Sequence, residues 1–348
     1  MKILISGNLG YIGPVLVSYL REKYPKHELV GYDFGLFSHT TTVHGLISDV
    51  KLDSQIYGDV RNIKQDIFED VDAIVYLAAI SNDPMGNKFE KPTMEINFES
   101  AVNWALLAKT SGVKNFVFAS SCSVYGLADD KDRTELSEVN PLTAYAKSKV
   151  NAEVELAKLA NDSFNITCLR FATACGWSDR LRLDLVLNDF VAGALVNKKI
   201  EILSDGTPWR PLIHVEDMSR AIDWGIHRKQ INDDSYIVVN VGSNDWNLQI
   251  KELAYQVEKI VPNTSVFIDP NGQPDMRSYR VDFSKFKSLA PDFQPIYTTK
   301  NTIEGILKGL KEISFNDSNY RNSQLIRLNV IQQLISKNQI DLDIKSLI

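Results

Sequence analysis

The sequence predicts an α/β fold, a doubly wound parallel sheet followed by a smaller mixed α/β region. Short apolar runs alternate with longer amphipathic runs through the first half of the chain, which is the pattern of a parallel sheet wrapped by helices. A glycine-rich turn also follows the first apolar run directly, at the point where the first helix is expected. The alternation of apolar and amphipathic runs becomes less regular after Phe171, which indicates a second region with a different architecture.

The elements follow from these patterns in chain order. The predicted strands are Lys2–Ser6, Glu28–Asp33, Gln55–Asp59, Ala73–Ala78, Asn115–Ser120 and Ile166–Phe171, with a later one at Ile200–Leu203. The predicted helices are Tyr11–Tyr24, Arg61–Phe68, Thr93–Ser111, Thr143–Ala160, Leu181–Val196, Ile213–Arg228, Gln249–Ile260 and Thr302–Ile313.

Composition narrows the class of protein. The 348 residues are 44% hydrophobic and carry a net charge of −6, without a basic block, so nucleic acid is not an expected partner. The three cysteines show neither metal-ligand spacing nor a disulfide framework, and no metal site is expected. The chain opens on a strand pattern, and no apolar run is long enough to span a bilayer. We therefore expect a cytoplasmic protein without a membrane partner.

The glycine-rich turn carries Gly7, Gly10 and Gly13, with Tyr11 and Ile12 between the last two. A strand, closely spaced glycines and a helix start in this order suit a dinucleotide, since glycine allows the backbone to approach a pyrophosphate at a helix N-terminus. The alternative is an ordinary glycine-rich turn between a strand and a helix. We expect a Rossmann-type cofactor site here.

Acidic residues end the second and third predicted strands. Asp33 lies where an adenosine ribose is expected, and no arginine occurs nearby to bind a 2′-phosphate, so the sequence favours NAD over NADP. The alternative is that Asp33 serves only as a turn residue. Asp59, followed by Val60, is interpreted equally as an adenine contact or as a helix cap. The small residues of Leu77-Ala78-Ala79 suit close passage of a cofactor or close helix packing.

Tyr145 and Lys149 are four residues apart on a predicted helix and share one face, and Ser121 lies earlier in the chain. A phenol is a poor base at neutral pH, since its reference pKa is about 10. A nearby ammonium favours the phenolate, and a serine hydroxyl can bind the same substrate oxygen. The set suits removal of a proton from an alcohol whose carbon gives up a hydride.

With these motifs in this order, the chain resembles the extended short-chain dehydrogenase/reductases, and more closely the NAD-dependent epimerase/dehydratase family that acts on nucleotide sugars. The likeness runs from about residue 2 to about residue 312. It implies that Tyr145 is the base, that Lys149 lowers the pKa of Tyr145 and holds the nicotinamide ribose, and that Ser121 aligns the sugar. The implied substrate contacts are Ser121, Ser123, Asn188, Arg210 and Arg277. For either arginine, the alternative is a surface salt bridge.

The resemblance also implies a domain organisation. We expect an NAD-binding domain at 1–174, to which 208–240 returns, a nucleotide-sugar domain at 175–313 and a C-terminal extension at 314–348. The helices Thr93–Ser111 and Thr143–Ala160 correspond to those that pair in family dimers, so a homodimer is expected.

The residues after Ser121 bear on the reaction. Related 4,6-dehydratases carry an acid pair there, whereas this chain has Cys122 and Ser123. Related 3,5-epimerases carry a cysteine at the position of Ser123, and Cys122 is expected to be buried. The sequence therefore favours a 4-epimerase, which needs no further catalytic group. A C4 dehydrogenase or 4-ketoreductase is the alternative, and a non-catalytic NAD-binding regulator is the third class.

Overall fold

The parallel sheet of the first region has seven strands in the described part of the chain. The computed structural model describes residues 1–127, 131–229, 234–273 and 277–347. The sheet strands are β1 (Lys2–Ser6), β2 (Glu28–Asp33), β3 (Ser54–Tyr57), β4 (Ala73–Tyr76), β5 (Asn115–Ser121), β6 (Asn165–Phe171) and β10 (Tyr236–Val241). All pair in parallel, in the order β3-β2-β1-β4-β5-β6-β10. The predicted doubly wound α/β fold is confirmed.

The remaining strands form two small sheets, and helices fill the connections. These strands are β7 (Thr173–Cys175), β8 (Lys199–Ile202), β9 (Trp209–His214), β11 (Asn247–Gln249) and β12 (Ser265–Ile268). The helices are α1 (Gly13–Lys23), α2 (Asp83–Lys88), α3 (Glu90–Met94), α4 (Ser100–Thr110), α5 (Ala144–Ala157), α6 (Val186–Asn197), α7 (Val215–His227), α8 (Ile250–Ile260), α9 (Ser284–Leu289), α10 (Thr299–Glu312) and α11 (Arg327–Ser336).

Several predicted elements differ from the structure, and the helix predicted at Leu181–Val196 begins only at Val186. The helix predicted at Arg61–Phe68 is wrong: two short 3₁₀ turns, Val60–Asn62 and Gln65–Phe68, stand there, because Ile63 and Lys64 between them are extended. Residues 209–214 were not predicted as a strand but form β9, so the helix predicted to begin at Ile213 begins at Val215 as α7.

Strand alternation divides the sheet residues between two cores. On β1, Ile3 and Ile5 pack in the core that contains Leu16 and Leu20 of α1 and Ile222 of α7. Leu4 points to the opposite face, where the core contains Trp104 of α4 and Leu156 of α5. Both faces are covered by helices, as a parallel sheet requires, and the carboxyl ends of the strands remain open along one edge.

The second region has its own core, built from α6, α8 and α10 with β8. The segment 208–240 contributes to both regions: β9 pairs with β7 in a small sheet, whereas β10 pairs with β6 in the large one. The C-terminal extension carries α11 and packs on loops of the first region. The domain boundaries themselves stay a prediction.

The two helices expected at a dimer interface show mixed burial. On α4 and α5, Ala105 and Leu156 are buried in the subunit's own core, whereas Leu106 and Val154 are exposed. The exposed pair leaves an apolar surface on these helices, and the homodimer stays a prediction.

A buried ion pair joins α5 to the sheet. Arg170 of β6 donates to the carboxylate of Glu153 from Nη2 at 2.6 Å and from Nε at 3.0 Å. Ser120 donates to the same carboxylate at 2.5 Å, and both charged side chains are less than a tenth exposed. Removing one charge from such a pair leaves the other desolvated without a partner.

We predict that Glu153→Gln lowers the free energy of unfolding by about 3–5 kcal/mol, measured by urea denaturation, because Arg170 then keeps a buried, unpaired charge. The matched control is Glu155→Gln on the same helix. Glu155 pairs with Lys158 at 2.6 Å, but both side chains are exposed, so the expected loss is less than about 1 kcal/mol. Equal losses in the two variants would contradict the argument.

Gly7, in the turn after β1, is closed in by the backbone that follows β4. Its φ is +73°, and an added Cβ would lie 2.5 Å from the amide nitrogen of Ala78. Gly112 has a similar φ of +82°, but no heavy atom lies within 4 Å of its added Cβ. Alanine substitutions at these two glycines therefore separate the cost of a left-handed backbone from the cost of a steric collision.

We predict that Gly112→Ala lowers the free energy of unfolding by about 1 kcal/mol, through left-handed backbone strain alone. Gly7→Ala adds the collision with Ala78, and we expect a loss of at least about 3 kcal/mol. Chemical denaturation of both variants measures the difference. If Gly7→Ala costs no more than Gly112→Ala, the turn is looser than the structure indicates.

Candidate active site

One cleft opens at the carboxyl ends of the parallel strands, with a cavity volume of ≈ 1010 Å³. This is at the upper end of the range for ligand pockets, so more than one small ligand can be held. The structure brings most predicted site residues to its wall. They are Gly7, Gly10, Tyr11, Ile12, Asp33, Asp59, Val60, Leu77, Ala78, Ala79, Ser121, Ser123, Tyr145, Lys149, Arg210 and Arg277.

The glycine turn has the shape that a pyrophosphate needs. A Cβ on Gly13 would overlap the backbone of Asn8, and a Cβ on Gly7 would overlap that of Ala78. On Gly10, an added Cβ would meet only the Gly7 carbonyl oxygen, at 3.1 Å. Helix α1 begins directly behind, and no side chain caps its first N–H groups. These donors and the helix dipole suit an anion at this point.

Asn8 lies within this turn, and the neighbouring strands accommodate its side chain. Its side chain is buried and donates to Gln55 at 2.6 Å. Gly31 of β2 provides the space, since an added Cβ there would lie 2.6 Å from the Asn8 amide nitrogen. The Asn8 side chain therefore points away from the cleft.

Asp33 and Asp59 lie side by side at the ends of β2 and β3. The Asp33 carboxylate accepts hydrogen bonds from the backbone N–H of Leu9 at 3.0 Å and of Gly35 at 2.7 Å. Burial raises the pKa of Asp33, and these two hydrogen bonds oppose the shift. Asp59 caps the 3₁₀ turn at Val60–Asn62, because its Oδ1 accepts from the Arg61 N–H at 2.9 Å. Asp59 therefore has the predicted capping role and also lines the cleft.

Ser121, Tyr145 and Lys149 face the cleft together from β5 and α5. Burial raises the pKa of Tyr145 to about 12, and its hydrogen bond with Ser121 opposes the shift. The Lys149 Nζ donates to the Ala119 carbonyl at 2.7 Å and lies 5.7 Å from the Tyr145 ring centroid. Burial also lowers the pKa of Lys149 to about 7, against the attraction of Glu153.

Asn97 positions the helix that carries Tyr145. Its buried side chain accepts from the Ile80 N–H at 2.8 Å and donates to the Ser148 hydroxyl at 3.1 Å. Ser148 in turn donates to the Tyr145 carbonyl at 2.7 Å. Asn97 and Ser148 therefore hold helix α5 against the loop that follows β4, next to Tyr145.

Cys122 and Ser123 face opposite sides of the chain. Cys122 is 1% exposed and donates its thiol to the Arg170 carbonyl at 3.1 Å, so the expected burial is confirmed. Ser123 lines the cleft, and its buried hydroxyl has no hydrogen-bond partner among the described residues. An unpartnered hydroxyl at a cavity wall is suited to a ligand oxygen.

Two carboxylates also line the cleft, and each accepts hydrogen bonds from an arginine. Asp184 accepts from Arg182 at 2.9 Å and 3.0 Å. Asp83 accepts from Arg277 at 2.6 Å. Of the motif around Arg277, Asp275 and Met276 lie outside the described residues.

Asn188 does not reach the cleft, so the expected direct contact with a diphosphate is not supported by its position. Its side chain is fully buried behind the glycine turn. The amide donates to the Tyr11 hydroxyl at 3.2 Å and to the Arg182 carbonyl at 2.9 Å, and the amide oxygen accepts from the Gly176 N–H. Asn188 therefore positions two residues that do line the cleft.

Two further residues complete the comparison with the sequence. Arg210 lines the cleft with its guanidinium 5.7 Å from the Tyr279 ring centroid. His214 caps α7, since its Nδ1 accepts from the Glu216 N–H at 3.2 Å, and it stacks on Tyr297 with ring centroids 3.7 Å apart. His214 therefore caps the start of α7 and packs against Tyr297.

Sequence reasoning missed several residues at the cleft wall. Arg61, Arg182 and Arg327 line it, and none of them was assigned a role from its motif. Arg182 lies two residues before Asp184 in an otherwise apolar stretch of the sequence. This spacing was the available indication of the buried ion pair that the two residues form. Arg327 had no such signal, since it lies far along the chain in the C-terminal extension.

Neither a metal site nor a membrane-spanning helix is found among the described residues. No group of three or more His, Cys, Asp or Glu side chains is placed to hold a metal ion in the part of the chain that the structure describes. Within the same residues, no helix has both the length and the apolar character needed to cross a membrane.

Known proteins with similar sequences and folds share this architecture. The model of the NAD dependent epimerase/dehydratase family matches residues 3–242. The low-salt glycan biosynthesis protein Agl12 of Haloferax volcanii is 23% identical, over 87% of this chain and 96% of its own. A UDP-glucose 4-epimerase of Streptococcus mutans is 28% identical, over 74% of this chain and 81% of its own.

Among solved structures, a UDP-glucuronic acid 4-epimerase of Bacillus cereus, in complex with UDP-glucuronic acid and NAD, superimposes with a TM-score of 0.76. It is 25% identical and covers 90% of this chain and 100% of its own. A dTDP-D-glucose 4,6-dehydratase and a UDP-glucuronic acid decarboxylase are also among the relatives. The glycine turn, the uncapped N-terminus of α1 and Asp33 suit the same cofactor. The chain therefore belongs to the NAD-dependent epimerase/dehydratase family, and its cofactor is NAD.

Proposed function

We propose that the protein is a nucleotide-sugar 4-epimerase, which oxidises C4 of the sugar to a ketone and then reduces it from the other face. The supporting observation is that Ser121, Tyr145 and Lys149 face one cleft together with the glycine turn and Asp33. The relatives that are 4-epimerases support the same reaction.

The proposed roles follow from the chemistry of each side chain. NAD, when bound, supplies the acceptor and later the donor of the hydride. Tyr145 accepts the proton of the sugar hydroxyl and returns it in the reverse direction. Ser121 hydrogen-bonds the same oxygen, and the ammonium of Lys149 lowers the pKa of Tyr145 once it is charged. Ser123 offers its unpartnered hydroxyl to the sugar.

The substrate contacts in this proposal come from the opposite wall. Arg210 and Arg277 bind the diphosphate of the nucleotide, for which the planar guanidinium is well suited. Asp83 holds Arg277 at 2.6 Å and limits its freedom before substrate arrives. The sugar then lies between these arginines and the Tyr145 hydroxyl.

Dehydration fits the cleft less well, because it needs a carboxylic acid that gives its proton to a leaving hydroxyl. The residues after Ser121 are a buried thiol and a hydroxyl, as the sequence indicated. Asp83 and Asp184, which line the cleft, already accept hydrogen bonds from arginines. Neither is placed to act as that acid.

We predict that the purified protein inverts C4 of a nucleoside-diphosphate sugar without added cofactor, and that a C4 deuterium label stays on C4 of the product. Proton NMR of the products measures both. Tyr145→Phe is expected to reduce kcat by about 10²–10⁴, because the proton acceptor is lost, while NAD stays bound. Tyr255→Phe removes a hydroxyl from an exposed tyrosine on α8 and serves as the control.

The same assay separates the alternatives. A requirement for added NAD or NADPH, with net production or consumption of reduced cofactor, would indicate a C4 dehydrogenase or 4-ketoreductase. Migration of the C4 deuterium label to C6, together with a solvent proton added at C5, would indicate a 4,6-dehydratase. No turnover with any nucleotide sugar would leave an NAD-binding regulator.

The buried ammonium of Lys149 also affects stability. In the unfolded chain its pKa returns to the ordinary 10.5, whereas burial lowers it to about 7 in the fold. Between these values the unfolded state binds more protons, so stability rises with pH. Below pH 7 the lysine is protonated in both states, and the burial penalty is present in full.

We predict that Lys149→Met raises the free energy of unfolding at pH 7 by about 3 kcal/mol, after the lost hydrogen bond to Ala119 is allowed for. The advantage should shrink by about 1.4 kcal/mol for each pH unit from pH 8 to pH 10. Urea denaturation without bound nucleotide measures it. Lys147→Met, at an exposed position of the same helix, is the control. A constant advantage across this range would refute the burial argument.

A further inference from the structure

The C-terminal segment, residues 314–347, packs on the second region up to Ile326, and its later part lies against the cleft. The apolar residues of this later part join a cluster with side chains that follow Asp33 in the loop after β2 and Leu77 in the loop after β4. The cluster contains Ile80, Met85, Phe89, Ile331, Ile340 and Ile344. Leu328, Ile331 and Ile344 also line the cavity. The segment therefore forms part of the wall beside the cofactor residues.

Arg61 ties the far end of this segment to a cofactor-facing carboxylate. Its guanidinium donates to the carbonyl oxygens of Asp343 at 2.7 Å and of Ile344 at 2.8 Å. The same group donates to Asp59 at 2.6 Å and to Glu95 at 3.0 Å. A change in the position of Asp59 is therefore transmitted directly to the backbone of the segment.

Arg327, at the start of α11, is a buried cation without an acidic partner. Its side chain is 2% exposed and lines the cavity. It donates to the Thr40 hydroxyl and, at 2.9 Å, to the Arg180 carbonyl, and it lies over the Phe37 ring at 4.5 Å. In the described residues no carboxylate forms an ion pair with it. A buried guanidinium in this situation is costly unless an anion joins it.

The groups around Arg327 indicate where an anion would bind. Burial lowers the pKa of Arg327 to about 9, and the positive charges of Arg182 and Arg180 lower it further. The carboxylates of Asp184 and Asp33 act in the opposite direction. Arg327 also contacts the two loops beside the glycine turn. It donates to Thr40, in the loop after Asp33, and to the carbonyl of Arg180, in a loop that is tied to the turn because Ser178 donates to the Tyr11 carbonyl at 2.7 Å. A pyrophosphate at the glycine turn would lie on this side of the cavity, and a guanidinium binds diphosphate oxygens well.

We propose that the C-terminal segment is the outer wall of the NAD site and that Arg327 binds the pyrophosphate of the cofactor. The segment and NAD then stabilise each other, and NAD leaves only after the segment has detached. This proposal rests on NAD as the cofactor and is independent of the sugar carbon that reacts. Slow release of NAD suits a reaction in which the hydride returns to the same sugar.

The first experiment compares NAD release from Arg327→Gln, Arg327→Lys and unchanged protein. NAD that dissociates from the purified holoprotein is trapped by an added NAD-consuming enzyme and measured over time. We expect release to be at least tenfold faster in Arg327→Gln and intermediate in Arg327→Lys, which keeps the charge. Lys337→Gln removes an exposed charge from the same segment and should release NAD at the original rate.

A purely structural role for Arg327 predicts a different result. If Arg327 only holds Thr40 and the Arg180 carbonyl, Arg327→Gln will melt at a lower temperature while NAD release stays unchanged. That result would overturn the proposal.

The second experiment uses the unchanged protein, so it does not depend on a variant that folds. Amide hydrogen exchange of residues 326–336 is measured without nucleotide, with NAD and with UDP, a nucleoside diphosphate that represents the substrate. We expect NAD to slow exchange by at least tenfold, because binding and segment closure are coupled. Exchange that NAD leaves unchanged contradicts the proposal. Protection by UDP alone contradicts it too, since Arg327 would then bind the substrate's diphosphate.

Discussion

The contact between the glycine turn and the backbone after β4 determines the geometry of the whole cleft. Gly7 lies so close to Leu77 and Ala78 that no side chain fits between them. This contact directs the chain from β1 into α1 and points the uncapped N–H groups of the helix at the cavity. Asp33 is then fixed from the same turn, through the Leu9 N–H. The positions of the glycine turn, of the α1 N-terminus and of Asp33 therefore all depend on this one backbone contact.

The cleft is also prepared electrostatically before any ligand binds. Two ion pairs line the cleft, Arg182 with Asp184 and Arg277 with Asp83. These pairs hold the guanidinium groups in place. Preorganised charges need little rearrangement when a diphosphate or a developing oxyanion arrives. Lys149 is buried and Tyr145 is half-buried, and the charges of Glu153, Asp83 and Arg182 act on them less strongly than the loss of water does. Their pKa values are therefore governed by desolvation and respond strongly to any charge that a ligand introduces.

Local patterns predicted the elements whose causes are local. The bounds of β1 and β2 agree with the apolar runs, and Tyr145 and Lys149 share a face because helical spacing requires it. The helix expected after Asp59 failed because two extended residues interrupt it, and their conformations are not evident from residue type. Asn188 was misplaced for a different reason: its polarity indicates a hydrogen-bonding role but not whether the partner is a ligand or the protein. Arg61 and Arg327 act through contacts across most of the chain, which spacing in a sequence does not reveal.

The bond from Arg61 to the Ile344 carbonyl joins residues 283 positions apart. Loop-closure entropy makes such contacts the slowest to form, and the segment also needs the loops after β2 and β4 in place before it can pack. Folding should therefore leave the adenosine side of the cleft open until its final stage. A cofactor that meets the nearly folded chain can enter without resistance and is enclosed afterwards. Occupancy would then be decided largely by the NAD concentration present while the chain folds, rather than by later exchange.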